Sequence, residues 1–166
     1  MNRQYEAILA SVAESTLSEL AFMFSMPDEE AVRHVSPALV SSSVDFAGPF
    51  SGTLALAVTA NMLPAIASNM LGLDEGDGAP SPEQQRDALK ELANVVCGNL
   101  LPALAGTEVV FNIEAPTITE AKVLEGTDEW KPVARTRLTL DEGRAELALF
   151  IRGEVPVPVA SREARK

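Results

Sequence analysis

Residues 81–106 read SPEQQRDALKELANVVCGNLLPALAG, and how this stretch folds decides the architecture of the chain. Ser81 is a favourable N-cap, Pro82 falls at the first helical position where no backbone N–H is needed, and Gln84 has capping-box spacing. Together they predict a long helix from Pro82 to about Leu104, with Pro102 kinking or ending it. At about 100° per residue, Leu89, Leu92, Val96, Leu100 and Ala103 share one face, while Asp87, Glu91, Asn94 and Gly98 form a narrow line opposite. The apolar face belongs against a core and the polar line in solvent.

Working outward, residues 3–24 predict another long helix, because Tyr5, Leu9, Val12, Thr16, Leu20 and Met23 recur at three- and four-residue spacing. A loop around SMPDEEAVRHVSP (25–37) follows. SSSVDFAGPFSGTLALAVTA (41–60) reads as two strands joined by a Gly/Pro turn, NMLPAIASNMLG (61–72) as a short helix with a glycine stop, and GLDEGDGAPSP (72–82) as a loop. Beyond Gly106, TEVVFNIEA (107–115) and PTITEAKVL (116–124) read as extended. PVARTRLTL (132–140) and RAELALFIR (144–152) form a hairpin about the turn residues DEG. The expectation is one α+β domain over residues 1–153, a helix-and-strand unit given twice, with two long helices packed on antiparallel sheet. Residues 154–166 are expected to be a mobile tail rich in proline.

Composition narrows the function classes. The chain has 166 residues, 46% hydrophobic and 22% charged, which suits one domain with a real core. With 24 acidic against 13 basic side chains the net charge is −11, a field that repels phosphate backbones and anionic lipid, so nucleic acid is not an expected partner. One cysteine cannot form an internal disulfide, and Glu14 interrupts any leader-like apolar run, so a reducing cytoplasm is expected. Phe46–Leu73 carries no charge over a length that spans a bilayer, but its prolines, glycines and asparagines divide it into a strand and a short helix, so no membrane insertion is expected.

Other candidate signals are weak. His34 is the only histidine, with no metal or triad spacing around it, and reads as a surface or loop residue. Cys97 reads as a small buried thiol. Asp74, Glu75 and Asp77 lack the alternating ligand pattern of a calcium loop, and no metal site of the chain's own is expected. The polar line on the second helix is harder to dismiss. Any amphipathic helix has a solvated face, but asparagine is a poor mid-helix residue, and Gly98 stands where alanine would be about 1 kcal/mol more favourable. A bare patch at Gly98 lets another protein approach closely.

The pattern D-x-x-x-E-x-x-N at Asp87, Glu91 and Asn94, followed by CGN at Cys97–Asn99, resembles the signature helix of the CheC/CheX chemotaxis phosphatases. The likeness covers most of the chain: the helix-strand-strand-helix order, LALAVTANMLPAIASNMLG (54–72) and EAPTIT (114–119) are similar to CheX-like proteins in the same order. The resemblance implies a CheC-like fold and a substrate, the phosphorylated CheY-like response regulator, whose aspartyl phosphate sits beside a Mg²⁺ ion that the regulator supplies. It implies that Asn94 orients the attacking water and that Glu91 pairs with the receiver's lysine. Asp87 matches a position that orients the helix or contacts the partner, and Gly98 extends the same docking face. It further implies a homodimer, since CheX-like proteins resemble one another in pairing through sheet edges. CheC-type proteins carry a second such motif on the first helix. Here Ser15, Glu19 and Phe22 stand in those positions, and a phenyl ring cannot align water, so one active face is expected and Phe22 is expected to pack. The competing reading is a non-catalytic receiver-binding or flagellar-switch adaptor of the same fold.

Overall fold

The computed structural model describes residues 1–27 and 38–159. His34 and most of the loop assigned to residues 25–37 lie outside the described residues, as do residues 160–166. Helix α1 spans Arg3–Ala21 and is capped by Asn2, whose side chain accepts from the N–H groups of Gln4 and Tyr5. The expected stripe is recovered at Tyr5, Leu9 and Thr16, joined by Ala13, Leu17 and Ala21, while Val12 and Leu20 are only half-buried. The helix stops short of residue 24. Asn69 donates to the Ala21 carbonyl, Phe22 turns to a left-handed φ of 52°, and the Met23 N–H returns to the Leu17 carbonyl. Asn69 thus supplies a donor to the final carbonyl of the helix, and the left-handed cap turns the chain away from the helix axis. Phe22 therefore does not pack, contrary to expectation: it is 56% exposed.

The remaining elements are β1 (Leu39–Ala47), β2 (Ser51–Thr59), α2 (Leu63–Leu71), α3 (Pro82–Ala105), β3 (Asn112–Ile113), β4 (Thr117–Thr119), β5 (Ala134–Leu140) and β6 (Gly143–Arg152). They build a six-stranded sheet in the order β3-β1-β2-β6-β5, with β4 also beside β1 and every pairing antiparallel. Each long helix is followed by a hairpin, β1–β2 after α1 and β5–β6 after α3, and the second strands of the two hairpins meet at the centre. That mirrored order is the twofold plan expected from the sequence. The extended reading of residues 107–124 was too generous, because only 112–113 and 117–119 pair. Residues Ala121–Glu125 instead wind into a 3-10 turn, whose Leu124 is buried with Trp130 and Phe150.

All three helices cover one face of the sheet. Leu54, Leu56 and Val58 of β2 and Leu147 and Leu149 of β6 meet Leu9, Leu17, Leu89, Leu92 and Leu100 there. On the other face Ala55, Ala57, Ala148 and Phe150 lie under Leu124 and Trp130. Strand β2 is thus buried on both sides, which is why its sequence is a continuous apolar run rather than an alternating one. The uncharged stretch from Phe46 to Leu73 is accounted for by β2 and α2, and among the described residues no helix is long and apolar enough to cross a membrane. Past β6, residues 154–159 lie along the domain: the Tyr5 hydroxyl donates to the Pro156 carbonyl and Pro158 is buried.

Candidate active site

Helix α3 is built as its sequence dictates. The Ser81 side chain accepts from the Gln84 N–H at 3.1 Å and the Gln84 carboxamide accepts from the Ser81 N–H at 2.9 Å, closing the capping box. Its buried residues are Ala88, Leu89, Leu92, Ala93, Val96, Cys97, Leu100, Leu101 and Leu104. Ala103, expected on this face, is exposed; the last turn, which contains Pro102, presents Leu101 and Leu104 to the core instead. Pro102 does not end the helix, which continues to Ala105 before Gly106 turns the chain at a φ of 97°.

With that face anchored on α1, α2 and the sheet, the opposite line points outward. Asp87, Glu91 and Gly98 are exposed and Asn94 is half-buried. The four candidate residues therefore share one ridge, as their spacing required. Their side chains differ in what they touch. Asp87 forms an ion pair with Lys90 at 3.1 Å, with 61% of its side chain exposed, a pair too solvated to add much stability. It gives the Asp87 carboxylate a partner on its own helix. No hydrogen bond or ion pair with a described residue engages the side chains of Glu91 or Asn94. One anion and one carboxamide, less than a turn apart, are thus presented with unused hydrogen-bonding capacity.

Asn99, which has no role in the sequence motif beyond closing CGN, ties the ridge helix to α1. Its carboxamide donates at 3.2 Å to the Thr16 hydroxyl of α1, which itself donates to the Val12 carbonyl at 2.8 Å. Asn99 lies well round the helix from Asn94, and that angular offset was the available sign that it faces α1 rather than a partner. On α1, Ser15, Glu19 and Phe22 are all exposed, so the half-motif occupies a surface but offers no amide.

Cys97, behind the ridge, is buried, and burial pushes its thiol up to about 12. A raised pKa leaves the thiol protonated until the pH climbs towards that value. At about pH 8 a thiol reagent is expected to leave the folded protein unmodified and to label Cys97 fully after denaturation. Native-state labelling at the rate of a free cysteine would contradict this. Among the described residues no group of three His, Cys, Asp or Glu side chains is placed to hold a metal ion.

The chain belongs to the chemotaxis phosphatase CheX family, whose model matches residues 40–129, a span that runs from the second residue of β1 through β2, α2 and the whole of α3. Among solved structures, CheX from Desulfovibrio desulfuricans matches with a TM-score of 0.67 at 18% identity, over 90% of this chain and 99% of that one. A CheC-like superfamily protein from Shewanella sp. PV-4 matches with a TM-score of 0.66 at 20% identity, over 92% and 100%. The CheX–CheY–BeF3–Mg²⁺ complex from Borrelia burgdorferi matches with a TM-score of 0.62 at 18% identity, over 90% and 98%. At such identities the likeness is one of fold. No curated protein sequence matches the chain.

Proposed function

We propose that this protein is a phosphatase for the aspartyl phosphate of a CheY-like response regulator, and that the α3 ridge is its active face. The observation that carries the reading is the pairing on one exposed face of an unengaged carboxylate, Glu91, with an unengaged carboxamide, Asn94, in a chain of the CheX family. The B. burgdorferi CheX is found in complex with CheY, and that supports a receiver as partner here. Mg²⁺ would come with the receiver.

The chemistry asks little of the enzyme. An acyl phosphate is already a reactive electrophile, and its hydrolysis is limited mainly by placing a water in line with the bond that breaks. Asn94 accepts from that water through its carboxamide oxygen and can donate through its NH₂ group, holding the lone pair towards phosphorus. Oxygen from the water bonds to phosphorus and the phosphorus–oxygen bond to the receiver's aspartate breaks. Inorganic phosphate leaves and the aspartate regains its carboxylate. Glu91 pairs with the receiver's lysine and fixes the approach. Asp87 and Lys90 set the helix surface beside it, and Gly98 admits the partner closely.

The test is phosphate release from a phosphorylated, Mg²⁺-loaded receiver. Glu91→Ala is expected to raise KM by about tenfold, the scale of a lost charged contact, with the thermal midpoint unchanged because the side chain is exposed. Glu19→Ala on α1 is expected to leave kcat and KM unaltered. Equal losses from the two variants would refute a single active face. We also propose a homodimer through an outer edge of the sheet, to be tested by mass in solution at micromolar concentration; a monomeric mass would overturn it.

A further inference from the structure

Pro102 sits inside α3, exposed, four residues after Gly98 and on the same ridge. In an α-helix the N–H of residue 102 would donate to the carbonyl of residue 98, but proline has no N–H. In the regular i to i−4 register of α3 the neighbouring donors serve other carbonyls, Leu101 that of Cys97 and Ala103 that of Asn99. The Gly98 carbonyl is therefore left without its helical donor, on the exposed side of the helix, one turn beyond Asn94. Internal packing does not explain the glycine, because a Cβ at Gly98 would meet nothing within 4 Å. Two residues that each disfavour helix thus coincide near the end of α3, on its exposed side, and together they leave one backbone acceptor without its helical donor.

We propose that the Gly98 carbonyl is a docking acceptor, which takes a hydrogen bond from a backbone amide or side-chain donor of the phosphorylated receiver. The inference rests on the receiver-phosphatase reading and adds to it a contact made by the backbone, at a position where side-chain chemistry reads as blank. Pro102 acts only through Gly98: it keeps the acceptor unoccupied until the partner arrives. The absence of a Cβ then allows the receiver's backbone to reach the oxygen.

The test uses Pro102→Ala and Pro102→Leu, which both restore the N–H. Leucine also retains apolar bulk at the position. Steady-state dephosphorylation of a Mg²⁺-loaded receiver is followed alongside thermal unfolding. In both variants the restored helical bond should raise the thermal midpoint, while KM rises by about fivefold, the scale of one ordinary hydrogen bond, and kcat stays unchanged. An unchanged KM in both variants overturns the proposal and leaves the phosphatase reading intact. A KM that rises for alanine but not for leucine also overturns it, since the receiver would then be touching the proline ring. An unmodified protein inactive on every receiver overturns the phosphatase reading, and this inference with it.

Discussion

Asn94→Ala is expected to lower kcat for receiver dephosphorylation by about 10²-fold, the scale of losing the positioning of one reacting group. KM should barely move, because in the proposed mechanism the amide acts on the water and docking falls to Glu91. The fold should survive: Asn94 is half-buried, makes no hydrogen bond to a described residue, and alanine is the better helix former. Asn94→Gln, which keeps the amide but moves it outward by one methylene, should recover only part of the rate. Full activity in Asn94→Ala would end the phosphatase reading and bring forward the adaptor of the same fold.

Gly52→Ala is expected to have the largest effect on stability, about 4 kcal/mol or outright failure to fold. Gly52 lies in β2 opposite Ile151 of β6 and Phe46 of β1. A Cβ there would stand 2.0 Å from the Phe150 carbonyl oxygen and 2.7 Å from the Phe46 ring. The first of these is backbone in a paired strand and cannot swing aside, so β2 and β6 would have to part at the centre of the sheet. Chemical denaturation of the variant checks this. A loss below about 1 kcal/mol would mean that the strands shift more easily than close packing of the sheet allows. Gly98→Ala offers the contrast, since an alanine there meets open space and should stabilise the helix.

The legible parts of this protein are those whose causes are local. Ser81 and Gln84 form a cap with each other, so the start of α3 could be read directly. The ridge from Asp87 to Gly98 follows from helical pitch alone, and the two hairpins follow from apolar runs about Gly/Pro and Asp-Glu-Gly turns. What escaped depends on neighbours distant in sequence. The end of α1 at Ala21 is set by Asn69 of α2, and that contact turns Phe22 into an exposed left-handed cap rather than a core residue. The role of Asn99 needs α1 beside α3. The 3-10 turn at Ala121–Glu125 forms where Leu124 covers the far side of the sheet, which no pattern within residues 116–124 reveals.

The mirrored strand order also determines how the chain must assemble. Each hairpin joins neighbours in sequence, but the seam between them pairs Ser51 with Arg152 and Val58 with Ala145. Closing that seam is a high-contact-order event, the kind of pairing that slows folding. Until the C-terminal hairpin exists, β2 has one long unpaired edge, apolar on both faces. On a ribosome the first hairpin therefore emerges with its stickiest strand exposed and waits for nearly the whole remainder of the chain. Nascent fragments ending before β6 are the species most prone to aggregate.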